Sequence, residues 1–225
     1  MSLEKEFYLK MQNIISILQN KEIPDTYPEY ISKIDMRPFQ NPYYIDRFEF
    51  MNISSFTLVS KRWVKPLAEY IGDKKCLEVM AGNGCLSKCL SGYGVDIKAT
   101  DNYTWKWHRS PENKQGQQLK REELWYDVEG LDCVESVVLY GKDAGYIICS
   151  WPPFKSIDLY KALIKMREIN PVCKLIYIGE EKGGCTAEEN FFNEARYIKN
   201  DKAFNEIASL FQSWPNMHDK IMLVK

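Results

Sequence analysis

Apolar positions along the chain follow two different spacings from residue 60 onward. The runs 75–79 (KCLEV), 145–150 (GYIICS) and 173–179 (CKLIYIG) are almost continuously apolar, which is typical of strands covered on both faces. The segments 61–72 (KRWVKPLAEYIG) and 156–171 (SIDLYKALIKMREINP) instead place apolar residues at helical spacing. Because strands and helices alternate, the pattern predicts an α/β fold with a largely parallel sheet.

Three more segments complete the predicted sheet. Residues 95–101 (VDIKATD) alternate apolar and polar side chains, and 124–130 (LWYDVEG) and 219–225 (DKIMLVK) also have strand character. The segment 204–214 (FNEIASLFQSW) fits helical and strand spacing equally well, so its periodicity does not decide between them. A capping box at 186–189 predicts the start of another helix.

The first part of the chain has a different texture. A helical start (EKEFYLKMQNIISILQ) passes into a stretch rich in proline and tyrosine (IPDTYPEYISKIDMRPFQNPYY). We therefore expect a helical and aromatic N-terminal extension over residues 1–59 and one α/β domain over residues 60–225. A chain of 225 residues with 45% hydrophobic residues is long enough to bury one sizeable core.

Composition narrows the class of protein. A formal net charge of −1 argues against a large electrostatic footprint for nucleic acid. No apolar run approaches the roughly 20 residues that cross a bilayer, and the start MSLEKEFYLK is charged, so we expect a cytoplasmic protein with no membrane segment. The seven cysteines lie mostly in apolar stretches without CxxC spacing and far from both histidines, which predicts reduced thiols and no metal site.

Candidate ligand-binding residues fall at the carboxyl ends of the predicted strands, where parallel sheets bind their ligands. The first strand contains Glu78 and passes into a loop with Gly82 and Gly84, which allow backbone to approach a ligand closely. Asp101 ends the next strand, about 20 residues further on, where a carboxylate can accept hydrogen bonds from ribose hydroxyls. This arrangement predicts a nucleoside site.

A second cluster, SWPPF at 150–154, follows a buried strand. The two prolines restrict the backbone of their neighbours and hold Trp151 and Phe154 at defined angles. Such an aromatic corner can stack on a planar ligand or face a cation. The alternative interpretation is a core-packing corner that binds no ligand.

These motifs, taken together, carry a resemblance. The sequence CLEVMAGNGCLSKCL, followed by IKATDNY, GLDC and YIICSWPPF, resembles the class I (Rossmann-like) S-adenosylmethionine-dependent methyltransferase superfamily over about residues 60–225. The resemblance implies a Rossmann-like open, mostly parallel seven-stranded sheet with helices on both faces and a C-terminal antiparallel hairpin. Residues 206–213 would then be a strand paired with 219–225.

The resemblance also implies a cofactor, S-adenosylmethionine, with S-adenosylhomocysteine as product. Glu78 and the loop 81–84 would lie against its methionine part, Asp101 would hold the ribose, and Asp132 would accept the adenine amino group. Met80 occupies the first of three alternate positions at which the superfamily usually has glycine. The residues implied to bind the cofactor are Glu78, Ala81, Gly82, Gly84, Asp101, Asn102, Asp132 and Cys133.

The catalytic side of the site is predicted at Ser150, Trp151, Pro152 and Phe154. Relatives that methylate amino nitrogens carry Asp, Asn or Ser directly before Pro-Pro-aromatic, whereas Trp151 intervenes here. A small-molecule acceptor is favoured, while nucleic acid and protein acceptors and the oligomeric state stay open. Two other functions stay open as well: a dinucleotide-binding Rossmann oxidoreductase, and a non-catalytic member of the fold that binds a cofactor or a partner.

Bases would matter only for an acceptor that must lose a proton, such as a hydroxyl. Glu180 and Glu181 follow the fifth predicted strand and lie on the correct edge of the sheet for that role. His108 lies in a polar and aromatic stretch, 102–123, that is predicted to be a loop or lid, and His218 is predicted to be structural.

Overall fold

The computed structural model describes residues 3–29, 47–104, 124–214 and 217–225. Its centre is a six-stranded sheet in the order β3-β2-β1-β4-β5-β6. The strands are β1 Cys76–Val79, β2 Ile97–Asp101, β3 Val128–Gly130, β4 Tyr146–Ser150, β5 Lys174–Gly179 and β6 Lys220–Val224. The helices are α1 Leu3–Gln19, α2 Arg47–Ile53, α3 Lys61–Ile71, α4 Cys85–Gly92, α5 Cys133–Tyr140, α6 Asp158–Ile169, α7 Glu189–Glu194 and α8 Lys202–Leu210, with a 3₁₀ turn at Gly141–Asp143.

Strands β1 to β5 are parallel, and only β6 runs antiparallel to its neighbour β5. The prediction of an α/β fold with a mostly parallel sheet is therefore confirmed. The chain order reverses at β1, which has β2 on one side and β4 on the other. Such a reversal opens a crevice at the carboxyl ends of the two flanking strands, where open sheets of this kind bind ligands.

The predicted seventh strand and C-terminal hairpin are wrong for the part of the chain that the structure describes. Residues 202–210 form helix α8, in which Phe204 and Ile207 are buried in the core. Asp201 caps this helix by accepting a 3.1 Å hydrogen bond from the Phe204 N–H. The helical spacing of the apolar residues therefore gives the correct structure for this segment. Within the described residues, the outer edge of β6 has only a single antiparallel bridge, between Tyr197 and Val224.

Two local predictions also differ from the structure. The third strand is limited to Val128–Gly130, shorter than the predicted 124–130. Helix α7 begins at Glu189, with Glu188 before it, so the capping box at 186–189 does not form. Thr186 is instead buried beside β5, where its hydroxyl bonds the Tyr177 hydroxyl at 2.7 Å. The loop after β5 is thus tied to the sheet by side chains.

The core consists of two hydrophobic clusters, one on each face of the sheet. Consecutive residues of one strand point into different clusters, as Ile147 and Ile148 do in β4. Helices α1, α3, α4 and α8 supply the cluster that contains Ile148, while α5, α6 and α7 supply the other. Phe7 and Phe50 of the N-terminal segment belong to the first cluster, so this segment shares the core of the sheet. Within the described ranges, no helix is both long and apolar enough to span a membrane.

All seven cysteines are free, and only Cys185 is exposed. Burial raises the pKa of the Cys76 and Cys133 thiols to about 12, which keeps them protonated at neutral pH. Among the residues that the structure describes, no three His, Cys, Asp or Glu side chains come together as metal ligands.

Candidate active site

The strand register places the predicted site residues along one edge of the sheet. Val79 pairs with Thr100, and Glu78 pairs with Ile148. Asp101 at the end of β2 and Ser150 at the end of β4 therefore lie at the level of Met80, on either side of it. Because neighbouring strands are about 4.8 Å apart, these residues line a common rim.

The loop after β1 has left-handed backbone at three alternate positions: Met80 (φ 55°), Gly82 (φ 57°) and Gly84 (φ 77°). Met80 thus adopts the conformation for which glycine is usual, at a cost of roughly 1–2 kcal/mol. A Cβ on Gly84 would lie 2.8 Å from side-chain atoms of Tyr126 and Val128, whereas a Cβ on Gly82 would meet nothing within 4 Å. Gly84 is therefore needed for packing, and Gly82 borders open space.

Left-handed backbone at residues other than glycine is concentrated at this edge. Apart from Lys21, such residues in the described ranges all lie in loops that follow the carboxyl ends of strands. They are Met80, Tyr103, Trp151, Lys155 and Ala187. Strained backbone of this kind clusters at functional sites, because its cost is tolerated only where the surrounding structure enforces it.

Glu78 is 2% exposed and points towards α4, where the Ser87 hydroxyl donates a hydrogen bond to it. Its backbone carbonyl accepts a 3.2 Å hydrogen bond from the Thr100 hydroxyl. Burial raises the pKa of Glu78 to about 7, although the hydrogen bonds from Ser87 oppose the rise. The side chain is therefore poised between its charged and neutral forms near neutral pH.

Asp101 joins the glycine loop to the end of β2. Its Oδ2 accepts a 2.8 Å hydrogen bond from the Gly82 N–H, and its Oδ1 accepts one of 2.6 Å from the Tyr103 N–H. The role of Asp101 in holding a ribose stays a prediction.

A pocket of about 650 Å³ opens beside Asp101, over the ends of β2 and β3. It is lined by Asn102, Tyr103, Thr104, Gly130, Leu131, Asp132 and Glu135. None of these lining residues is basic, and two, Asp132 and Glu135, are acidic. Its volume is within the range typical of small-molecule sites.

Asp132 is the N-cap of α5. Its Oδ1 accepts hydrogen bonds from the N–H groups of Val134 and Glu135, at 2.8 and 2.9 Å. Oδ2 accepts none from the described part of the chain, which suits a ligand amino group. Cys133 is buried behind Asp132, and its thiol faces the Asp158 carbonyl rather than the pocket.

The backbone donors of the glycine loop are largely satisfied within the protein. The pairs are Ala81 N–H to Thr100 O, Gly82 N–H to Asp101 Oδ2, Gly84 N–H to Ala81 O, and Cys85 N–H to Asn83 Oδ1, at 2.8–3.1 Å. A pyrophosphate needs such donors unpaired at a helix N-terminus. The loop is thus poorly suited to a dinucleotide.

The predicted catalytic residues lie one strand further along, around the end of β4. Ser150 and Thr57 share a 3.0 Å hydrogen bond between their hydroxyls. Trp151 is half-buried, and Phe56 stacks on its ring at a centroid distance of 5.8 Å. Pro152 is buried, and its carbonyl accepts a hydrogen bond from the Ala187 N–H. Phe154 is 56% exposed, so the structure does not bring it together with the others.

Sequence reasoning missed Arg47 and Asp219, which flank Trp151. The guanidinium carbon of Arg47 lies 5.0 Å from the centroid of the Trp151 ring. Asp219 Oδ2 accepts a 3.1 Å hydrogen bond from Trp151 Nε1. Burial raises the pKa of Asp219, while hydrogen bonds from Ser213 and Trp151 and the charge of Arg47 oppose the rise. Trp151 thus contacts Phe56, Arg47 and Asp219 at once.

The candidate bases are poorly suited to taking a proton. Burial would raise the pKa of Glu180, but hydrogen bonds at its carboxylate from Cys185 and His218 outweigh burial and lower it. Glu181 is exposed and pairs with Lys220 at 2.5 Å. His218 is exposed and contributes its backbone N–H. His108 and most of the predicted lid lie outside the described residues.

Comparison with known proteins gives similar solved structures. Neither a protein-family profile nor a curated protein matches the chain. TehB from Haemophilus influenzae has a TM-score of 0.45 and 12% identity, over 80% of this chain and 66% of that one. A SAM-dependent methyltransferase from Agrobacterium tumefaciens has a TM-score of 0.35 and 19% identity, over 54% and 44%. The chain thus spans less than two thirds of both.

A third similar structure contains the cofactor that the sequence motifs imply. It is a magnesium protoporphyrin IX methyltransferase from Synechocystis PCC 6803 with bound SAM, with a TM-score of 0.38 and 15% identity, over 72% of this chain and 77% of that one. At these identities and TM-scores, nothing about the activity of this chain follows from the likeness.

Proposed function

We propose that this chain is an S-adenosylmethionine-dependent methyltransferase that acts on a small molecule. The observation that carries the proposal is the pocket lined by Asp132 and by Asn102, which follows directly after Asp101 at the end of β2. Asp101 in turn is bonded to a glycine loop whose backbone donors are largely used. An acidic pocket favours a positively charged nucleoside over a phosphate-bearing one. The cofactor would lie over β1, β2 and β3, and the acceptor over β4, β5 and β6.

The residues present fit the cofactor. Open space in front of Gly82 leaves room for a ligand against bare backbone. Asp101 would hold the ribose, and Asn102 and Asp132 would lie beside the adenine, with Oδ2 of Asp132 accepting from the amino group. Glu78 and Ala81 would lie towards the methionine part. When bound, S-adenosylmethionine would supply a methyl group from its positively charged sulfur to a lone pair of the acceptor.

The chain's own contribution is orientation and exclusion of water. Ser150 can exchange its bond to Thr57 for one to an acceptor N–H or O–H, which would fix the direction of the lone pair. Positioning of this kind can be worth about 7–11 kcal/mol. A neutral amine needs no strong base, which agrees with the lowered pKa of Glu180.

The oxidoreductase alternative is disfavoured by the same geometry. A dinucleotide brings two phosphates to the loop after β1, where the paired donors and the carboxylates of Glu78 and Asp101 offer nothing to bind them. The sequence GNGCLS also has Ser87 where close helix packing favours glycine or alanine, and Ser87 is bonded to Glu78 instead.

Calorimetric titration of the full chain with S-adenosylhomocysteine and with NAD tests the proposal. We expect saturable binding of S-adenosylhomocysteine and no response to NAD. Binding of NAD alone would contradict the proposal. Transfer of a labelled methyl group to members of a small-molecule panel then tests activity, and binding without any transfer would favour the non-catalytic alternative.

A further inference from the structure

Arg47 and Asp219 together hold three buried polar atoms that are not hydrogen-bonded. Nε and Nη2 of Arg47 and Oδ1 of Asp219 have no partner within the described part of the chain. Asp219 is 3% exposed, whereas Arg47 as a whole is half-buried, so these atoms lie just below the surface. Buried polar atoms are nearly always paired, and orphaned ones therefore indicate a missing group.

The two orphaned atoms of Arg47 form one recognition element. Nε–H and Nη2–H lie on the same side of the guanidinium and point in parallel, which matches the two oxygens of a carboxylate. Nη1 is already used, since it donates a 3.2 Å hydrogen bond to Met217 Sδ. The guanidinium carbon lies over the Trp151 ring. The side-on fork is thus the part of Arg47 left for a ligand.

The surrounding charges select among anions. Asp219, Cys185 and Glu180 are close enough to Arg47 to act on it electrostatically. Glu180 is a carboxylate held by the N–H groups of Cys185 and His218. Two acidic side chains beside one guanidinium leave no surplus positive charge, so each further negative charge on a ligand adds repulsion. A dianionic phosphate is therefore disfavoured more than a monoanion, and a ligand that also carries a donor group is favoured.

The position of this pair separates it from the cofactor. The acidic pocket lies over β2 and β3, while Trp151 follows β4 and Asp219 precedes β6. From β2, the nearer of the two, to β4 there are two strand spacings, or about 10 Å. The pair therefore faces the acceptor half of the edge.

We propose that the methyl acceptor is a small carboxylic acid, whose carboxylate binds the Arg47 fork and whose N–H or O–H group donates to Asp219 Oδ1. The identity of this ligand as the methyl acceptor rests on the proposed function. The binding of a carboxylate by Arg47 does not. The N-terminal segment, through Arg47, then takes part in choosing the acceptor.

The carboxylate half can be tested on the full chain by following the ¹⁵N resonance of Arg47 Nε–H. The probes are acetate, acetamide and methylphosphonate, which carry little beyond the binding group. We expect acetate to shift the resonance saturably and to bind roughly tenfold or more tightly than the other two, as expected for a charge-assisted bidentate pair. The resonance is identified as the one that disappears in Arg47→Lys. In competition titrations against acetate, this variant should no longer prefer acetate to acetamide and methylphosphonate. Arg62→Gln, on the exposed side of α3, should keep this preference.

The donor half is tested with glycine, which adds an ammonium group to acetate. We expect glycine to bind a few-fold more tightly than acetate, and Asp219→Asn to remove that gain while the Trp151 hydrogen bond can persist. Equal binding of glycine and acetate in the unsubstituted chain would refute the role of Asp219.

Three results would overturn the proposal. The first is no saturable acetate shift, as for a site that holds only water. The second is tighter binding of methylphosphonate than of acetate. The third would assign the fork to the cofactor: S-adenosylhomocysteine abolishes the acetate shift, and Arg47→Lys binds S-adenosylhomocysteine tenfold more weakly. Failure of the proposed function gives a different result: no S-adenosylhomocysteine binding, with acetate binding intact.

Discussion

The two halves of the carboxyl edge are built from different material. Over β1, β2 and β3 the residues come from the loops that directly follow these strands, with Gly82 bordering open space and Asp101 holding the glycine loop in place. Over β4, β5 and β6 the side chains come from distant parts of the chain, with Trp151 between Arg47 and Asp219. In the first half the same residues support the loops and border the candidate ligand site, so substitutions there should change stability, cofactor binding or both. Substitutions in the second half should leave cofactor binding unchanged.

The largest effect is expected for Gly84→Ala. The new Cβ would approach Tyr126 and Val128 to 2.8 Å at a backbone φ of 77°. Overpacking and left-handed strain together should lower the free energy of unfolding by roughly 3–5 kcal/mol. Chemical denaturation measures this, with Gly82→Ala as the matched control, for which strain alone predicts about 1 kcal/mol. Equal losses in the two variants would show that close packing is not what requires Gly84.

Glu78→Gln should change how stability depends on pH. The pKa of Glu78 is raised to about 7 from an ordinary 4.5, so between these values the folded state binds more protons than the unfolded chain. Stability of the unsubstituted protein therefore falls as pH rises through that window, whereas glutamine has no proton to lose. Between about pH 4 and about pH 8, the difference in free energy of unfolding should shift in favour of the variant by on the order of 3 kcal/mol. Parallel pH profiles in denaturation experiments would contradict the raised pKa.

Asp101→Ala should weaken binding of S-adenosylhomocysteine by about 1–3 kcal/mol, because a buried hydrogen-bonding partner is lost. Calorimetry on the folded variant measures the change. Asp219→Asn is the control from the other half and should leave this affinity unaltered. If the two variants behaved alike, the division of the edge into a cofactor half and an acceptor half would be wrong.

The smallest effect on stability is expected for substitutions of two aspartates that cap helices. Asp132→Ala and Asp201→Ala each remove an N-cap and should each cost about 1 kcal/mol of stability. Asp132 lines the acidic pocket and Asp201 does not, so only the first change should also weaken S-adenosylhomocysteine binding. Thermal unfolding and calorimetry separate the two contributions, and a loss of affinity in both variants would point to an indirect effect through stability.

The same contrast explains what the sequence could predict. Strands β1, β4 and β5 and the acids Glu78 and Asp101 lie within short local patterns, because a strand, its loop and the next helix are contiguous in the chain. The resemblance predicts a strand over residues 206–213, whereas the spacing of apolar residues fits a strand and a helix equally well. The segment forms helix α8, in which Phe204 and Ile207 lie on one face.

Arg47 and Asp219 had no local signal of this kind. Arg47 stands between Asp46 and Phe48, and Asp219 between His218 and Lys220, in no recognisable motif. Their meaning arises only when both pack against Trp151. Contacts between residues so far apart in sequence depend on the tertiary fold, which one sequence without its structure does not specify in such detail.

The shared core of the N-terminal segment also bears on how the chain is made. Phe7 of α1 and Leu223 of β6 belong to the same hydrophobic cluster. During synthesis on a ribosome, α1 emerges long before β6, so the cluster to which both belong is completed only when β6 has been made. A chain that ends before β6 should therefore expose apolar surface of this cluster.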